Sequence, residues 1–563
     1  MIKYQVLLIK ERIYKPLNIP VDYLKYYEEP ETEIPYKVAE QIFIMQKYED
    51  PPMRGRQSVN PLNKLGFSIA REGYGPIIIT DLGNKFLSDD YEIGYIFFKS
   101  LLKLQFPNPW SADFSEKEGF DIMPLIAVMK LIKKINGEAE KKGLDKNEFN
   151  LFVPTLIKFD QVDEYVQRIL EFRKAKNKDE YINDFVKMFY QTTTIPANKI
   201  NNLFDYGDNI MRYFRLTRYF KVSMDPLGSN WIIDLEPSRK VEIEQLLDMY
   251  KGASIKFETV TDYLNYLSDI EQPLLPWEKR DNLEKVVQTL KYDTNNLIKE
   301  GKLQISQEQQ TFLDMEIHDL DKNQLEKYKD QIRAFNLELK ERIKKVKLMS
   351  DLNKVEEIIV TLQDIKKLRE YEPEQFEKLV TEALKIINDE IQIKPNYPVD
   401  DDGEPVSHSP ANKPDIECYY KKFKASIEVT LNSSNLQWVL EGQPVMRHLR
   451  NFEIQHQNDD VFCIFIAPRI HIDTYSQFWI SVKYEYNGIP QKIVPMTSEQ
   501  FAMLLDTLLL LLKKGKRFSH IELYELYTNI VNESKRLVSF SNWALFIEKS
   551  LADWQQRIIK RCR

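Results

Sequence analysis

Apolar residues along the chain fall into runs whose spacing changes several times. Between residues 66 and 88 two short β-rich runs flank the turn Arg71 to Pro76, and Thr80 then stands where a cap opens a helix running through Phe86. The same order returns between 204 and 248. Asp208 to about Phe220 predicts a helix, Lys221 to Met224 a strand, Asp225-Pro-Leu-Gly-Ser229 a turn, Trp231 to Leu235 a second strand, and the residues after Pro237 a further helix. From Trp277 to Ile391 the apolar positions keep helical spacing, as in Leu283, Val286, Val287 and Leu290, then Ile343, Val346 and Met349. Dense Lys and Glu fill the gaps, so this stretch reads as a helical connector with solvated faces. Pro395, Pro398 and the acidic turn Asp400 to Gly403 break the pattern and open a β-rich segment that includes the apolar strand Val461 to Ala467. Phe501 to Leu512 is apolar except for Asp506. It is well short of the roughly 20 residues that cross a bilayer, and a buried helix is expected.

Composition narrows the class. The chain has 563 residues, 43% hydrophobic and 12% aromatic, which excludes an intrinsically disordered protein and suggests three or four domains. Against 86 Asp+Glu there are 79 Lys+Arg, a net charge of −7. That balance argues against indiscriminate coating of nucleic acid or anionic membrane but leaves local basic surfaces open. The three cysteines, Cys418, Cys463 and Cys562, are odd in number and lack CxxC spacing, so neither a disulfide framework nor a zinc site is indicated. A reducing cytoplasm is expected, with no signal peptide, because the N-terminus has only the short apolar run Val6 to Ile9.

Helix, β-hairpin, helix is the outline of a winged helix-turn-helix, a DNA-reading module, although a hairpin packed on helices for structural reasons leaves the same pattern. Arg212, Arg215, Arg218 and Lys221 recur every third residue. On one helix each lies about 60° behind the last, giving a basic ribbon that Tyr213, Phe214, Tyr219 and Phe220 pack onto a core. Arg54-Gly-Arg56 is a second basic candidate. Arginine matches guanine edges or phosphate bidentately, which suits a DNA reader; pairing with neighbouring carboxylates is the competing reading.

Candidate chemistry lies between Pro405 and Arg450. Asp415 opens an alternating run (Ile416, Cys418, Tyr420), and Glu428 lies within Ala425 to Thr430. If Lys421-Lys422 make a turn, Asp415 and Glu428 meet across a hairpin. Two carboxylates with a backbone carbonyl such as that of Val429 make a hard-cation site suited to Mg2+, which polarises a phosphodiester and lowers the pKa of bound water. A helix from Gln375 to Ile387, strands at Asp415 and Glu428, a helix near Gln443 to Phe452 and the strand at Val461 resemble the PD-(D/E)xK nuclease core. Thr430 stands where that pattern has lysine.

That departure fits one family. The chain resembles the AlwI family of type IIS restriction endonucleases and their strand-nicking relatives, whose members carry Glu-Val-Thr at this point. The matching residues are Phe376-Glu377, Pro405-Val-x-His408, Asn412-x-Pro-Asp415, Glu428-Val-Thr430, Glu441, Pro444-Val-x-Arg-His448, Cys463 to Pro468, Ile493-Val-Pro-Met and Glu499-Gln-Phe. Looser matches upstream are Arg54-x-Arg56, Gly66-Phe, Ile79-Thr80, Gly83 and Arg212-Tyr-Phe-Arg-x-Thr217.

The resemblance implies a multidomain α+β enzyme. Residues 1–275 are expected to form a DNA-recognition region with two winged-helix-like subdomains, 276–370 a helical linker, and 371–563 a PD-(D/E)xK-like catalytic domain. Asp415 and Glu428 carry over as metal ligands, with Glu377 and Glu441 as accompanying acids. Without the lysine, an activated water is expected to attack phosphorus in line, with Glu441 or a water it holds taking the proton. Arg447 and His448 are candidate accessory residues, and His408 a residue that orders its loop. Lys513, Lys514, Lys516, Arg517 and the tail from Arg557 read as solvated charge or as contacts to DNA backbone. Double-stranded DNA, a second nuclease domain from another copy or subunit, and a cognate DNA methyltransferase are the expected partners, in a bacterial cytoplasm with no membrane. A non-catalytic winged-helix regulator and a same-core nuclease for branched or damaged DNA are the competing readings.

Overall fold

The computed structural model describes residues 60–69, 78–88, 93–108, 115–224, 231–387, 389–410 and 413–561. The chain divides into two compact units, each treated by itself: residues up to 295 with 306–333, and 296–305 with 334–563. Both are mixed α+β. No helix among the described residues is long and apolar enough to cross a membrane.

In the first unit, β1 (Ser68–Ile69) pairs antiparallel with β2 (Ile78–Ile79), and the helix Asp81–Ser88 follows. Thr80 caps that helix, its Oγ1 accepting from the Gly83 amide at 3.1 Å and donating to the Gly66 carbonyl at 2.5 Å. The predicted turn Arg71 to Pro76 lies outside the described residues. A second sheet has the order β3 (Leu144–Asp145), β5 (Trp231–Leu235), β4 (Phe220–Met224), all antiparallel. Its hairpin aligns Phe220 with Leu235 and Met224 with Trp231. The short helix Pro237–Arg239 and then Lys240–Met249 follow it, as the proline implied. β3, only two residues long, left no periodic mark in the sequence.

The helix before this hairpin spans Ala197–Leu216 and stops short of the predicted Phe220. On a continued helix Phe214, Tyr219 and Phe220 would point in three directions roughly 120° apart. Ending at Leu216 lets all three enter one core, where each is at most 3% exposed. Thr217 closes the end, its Oγ1 donating to the Phe214 carbonyl and accepting from the Tyr219 amide, and Arg218 turns the chain at φ 65°. The basic residues therefore do not form a ribbon on one helix: Arg212 and Arg215 are helical, Arg218 lies in the turn, and Lys221 is in β4.

From Arg280 onward the chain is helical, as its spacing predicted. Leu283, Val286, Val287 and Leu290 are buried in the helix Arg280–Glu300. In Lys322–Ser350, Val346 is exposed, against expectation, and the buried positions include Leu325, Tyr328, Ile332, Phe335 and Leu339. Their alternating spacing of three and four residues is the apolar stripe of this helix.

The second unit is built on a five-stranded sheet of order β10 (Ile493–Thr497), β9 (Val461–Ala467), β8 (Lys424–Val429), β7 (Ile416–Tyr419), β6 (Gln392–Pro395). The strands β6 to β8 are antiparallel neighbours, and β8 to β10 are parallel. All seven residues of β9 are buried, which requires cover on both faces of the sheet. The helices Pro373–Ile387, Gln443–Gln455 and Ser498–Leu512 share the core with it.

Candidate active site

The turn predicted at Lys421-Lys422 is present, with the Tyr420 amide donating to the Phe423 carbonyl at 3.0 Å. Pairing of Ile416 with Ile427 then brings Asp415 opposite Glu428 at one end of the sheet. Asp415 is fixed from two sides. Its Oδ2 accepts from the Val429 amide at 2.7 Å, and its carbonyl accepts from the Asn396 amide at 2.9 Å. The Asn396 side chain also donates to the Pro414 carbonyl at 2.9 Å. Glu428 Oε1 lies 3.0 Å from His448 Nδ1, on the helix that follows. The nearby Glu441 Oε1 accepts from the Thr430 hydroxyl at 3.1 Å, so Thr430 engages the third acid. Glu377 enters from the helix Pro373–Ile387, and its Oε2 accepts from both the amide (3.2 Å) and the hydroxyl (2.9 Å) of Ser409. The Ser409 hydroxyl also lies 3.2 Å from the Asp415 carbonyl, which ties the helix to the hairpin.

Glu441 sits in an unusual turn. Trp438–Gly442 is π-helical and runs directly into Gln443–Gln455. A Cβ on Gly442 would collide with the Trp438 ring, so glycine is required there for space. One residue earlier, the fully buried Gln437 ties two loops together. Its Nε2 donates to the carbonyls of Asn432 (2.5 Å) and Arg469 (2.8 Å), and its Oε1 accepts from the His471 amide (2.8 Å).

The four acids act on one another. Burial, then the neighbouring Asp415, pushes Glu377 up to about 9. Burial and Glu428 hold Asp415 well above the usual carboxylate range despite the Val429 amide. Glu428 is raised likewise by burial, Glu441 and Glu377. Burial also raises Glu441, with Thr430 opposing. His448 is lowered to about 4 by burial and by Arg447, so its imidazole is neutral near pH 7. For an ionised Glu428 the proton then resides on Nδ1, while His448 Nε2 is buried without a partner among the described residues.

Asp415, Glu428, Glu377 and Glu441 are thus brought together, with His448 against them and Arg447 exposed beside it. No group of three or more His, Cys, Asp or Glu side chains among the described residues is arranged to hold a metal ion. A site of two carboxylates and a carbonyl does not need one. Arg54 and Arg56 lie outside the described residues. Arg212, Arg215, Arg218 and Lys221 belong to the other unit, and none of them is without a partner. His408 is exposed in the loop before Asp415. Ser409, Asn396 and Gln437 were missed by sequence reasoning. Only Ser409 had a signal, its place inside the Pro405 to Asp415 motif.

The model of the AlwI restriction endonuclease family matches residues 63–504. The chain belongs to this family. Restriction endonucleases generally use a divalent metal, and the acidic cluster lies within the matched residues. No curated protein matches the chain. Among solved structures it is similar to the small subunit of the heterodimeric restriction endonuclease R.BspD6I, at 22% identity and a TM-score of 0.30, over 34% of this chain and 98% of that one. The BpuJ1 endonuclease binding domain, crystallised with pyrene- and phenanthrene-modified DNA, is 14% identical with a TM-score of 0.30, over 42% and 84%. The restriction endonuclease FokI is 11% identical with a TM-score of 0.25, over 94% and 96%.

Proposed function

We propose that the chain is a Mg2+-dependent type IIS endonuclease of a restriction system. Residues 1–275 recognise a short asymmetric duplex sequence through winged-helix-like subdomains, 276–370 form the linker, and 371–563, a PD-(D/E)xK-like domain, hydrolyse phosphodiester bonds a few bases to one side. Arg54, Arg56, Arg212, Arg215, Arg218 and Lys221 contribute to recognition. The observation that carries this reading is the convergence of Asp415, Glu428, Glu441 and Glu377 at one end of a mixed sheet, within the family match.

The donor set fits a hard divalent cation. The oxygens are carboxylate, and burial together with the neighbouring acids holds Asp415 and Glu428 raised, as expected where like charges share a buried site. Asp415, Glu428 and the Val429 carbonyl would hold Mg2+, which when bound polarises the phosphodiester and makes a water more acidic. The protein's own groups do the remaining work. His448 donates from Nδ1 to Glu428 Oε1 and orients that carboxylate, as hydrogen-bond partners of metal ligands do. Thr430 holds one oxygen of Glu441, and the raised affinity of Glu441 for a proton suits it to receive one from the attacking water.

Asp415→Ala should abolish cleavage and leave sequence-specific binding intact, measured by plasmid digestion and gel shift on the same DNA. Loss of binding in parallel with cleavage would contradict the separation of recognition from chemistry.

A further inference from the structure

At the end where β8 and β9 begin, Lys424 pairs with Asp459 at 2.7 Å and Lys492 pairs with Asp460, while Lys421 and Lys422 in the turn there are exposed with no carboxylate partner among the described residues. At the end that carries the acids, Lys413 lies two residues before Asp415, and Arg469 lies two residues after the last residue of β9. Both are exposed, and neither is paired with a carboxylate among the described residues. The four acids lie close by but are largely enclosed, and they do not engage these cations.

The chain next to Lys413 and the carbonyl of Arg469 are each held by a side chain. Pro414, next to Lys413, is held by the Asn396 side chain. The Arg469 carbonyl is held by Gln437, in the same segment as the turn that presents Glu441. Exposed cations on fixed loops beside a buried acid cluster suit a polyanion that must approach carboxylates. Phosphates flanking a cleaved bond have that chemistry, and arginine adds bidentate geometry.

Resting on the nuclease reading above, we propose that Lys413 and Arg469 bind backbone phosphates of the DNA strand presented to the acid cluster and position it for cleavage. The contact is independent of sequence, and its strength falls with salt through counterion release.

The test measures kcat/KM of the full-length protein as a function of KCl, on a duplex carrying a cleavage site first mapped by run-off sequencing. Lys413→Ala and Arg469→Ala are each expected to lower kcat/KM about fivefold. Each should also flatten the slope of log kcat/KM against log salt by about 0.9, the change for one lost phosphate contact. Arg469→Lys should retain the slope, because it keeps the charge. Lys421→Ala, in the turn at the other end of the hairpin, should match the parent in both. Parent-like rates and slopes in Lys413→Ala and Arg469→Ala would overturn the contact while the nuclease reading stands. A parent chain that cuts no duplex with Mg2+ would overturn the nuclease reading and the contact with it.

Discussion

Glu377 sits where burial disfavours its charged form. Its carboxyl is held at about 9 by burial and by Asp415, against about 4.3 in an unfolded chain. The sign follows from linkage. Below the unfolded value both states are protonated and folding loses nothing. As pH rises toward 9 the unfolded state sheds its proton while the folded state keeps it, so stability falls across that window. In EDTA the melting temperature is therefore expected to fall from pH 5 to pH 9, and less so in Glu377→Gln. Mg2+ should offset part of the fall at pH 8, because a ligand that binds only the folded state stabilises it. A melting temperature that is flat in EDTA would contradict the account. Ser409 supplies a second residue-scale prediction. Its amide and hydroxyl both hold Glu377 Oε2, and a hydrogen bond of this kind is worth about 0.5–1.5 kcal/mol. Ser409→Ala, which keeps the amide and loses the hydroxyl, should lower the single-turnover cleavage rate about tenfold with DNA affinity unchanged. An equal loss of affinity would mean that the serine supports the fold more widely.

Elements show where local pattern sufficed and where it did not. The π-helical turn Trp438–Gly442 aims Glu441 at Thr430, and it exists because Gly442 leaves room for the Trp438 ring. Such turns inside helices are frequent at functional sites. Gly442→Ala forces the ring aside, and overpacking of this kind costs about 1–3 kcal/mol. It should reduce kcat at least tenfold with little change in DNA binding, and Trp438→Leu in the same chain should restore part of the rate. A Gly442→Ala enzyme with full activity would show that Glu441 does not depend on the turn. No periodicity marks this turn, since one residue of excess in a helix leaves the apolar spacing almost unchanged. By contrast, the hairpin carrying Asp415 and Glu428 was legible because a two-residue lysine turn set the register of an alternating run. The seven apolar residues of β9 were legible because strands buried on both faces read as unbroken apolar runs. The helix end at Leu216 was not. Arginines at a spacing of three suggested continuation, and only the burial of three aromatics in one core ends it. Asn396 and Gln437 act across distant parts of the chain, and such contacts leave no local mark.

At the scale of the whole molecule, a net charge of −7 conceals an uneven distribution. Four acids are gathered within one unit, and on the proposed reading a bound cation, the basic residues of the first unit and the exposed rim at Lys413 and Arg469 would together let a polyanion approach. A modest negative total also limits non-specific adhesion to DNA, which suits an enzyme that selects one sequence among many. Family membership establishes the restriction-endonuclease character, and the type IIS reading adds that recognition and cutting occur at different places on the DNA. Digestion of a sequenced plasmid with Mg2+, followed by run-off sequencing of both strands, tests that claim most directly. The account predicts breaks at one fixed offset from a shared asymmetric sequence, lost in Glu428→Gln. Breaks within the recognised sequence, at random positions, or undiminished in Glu428→Gln would contradict it.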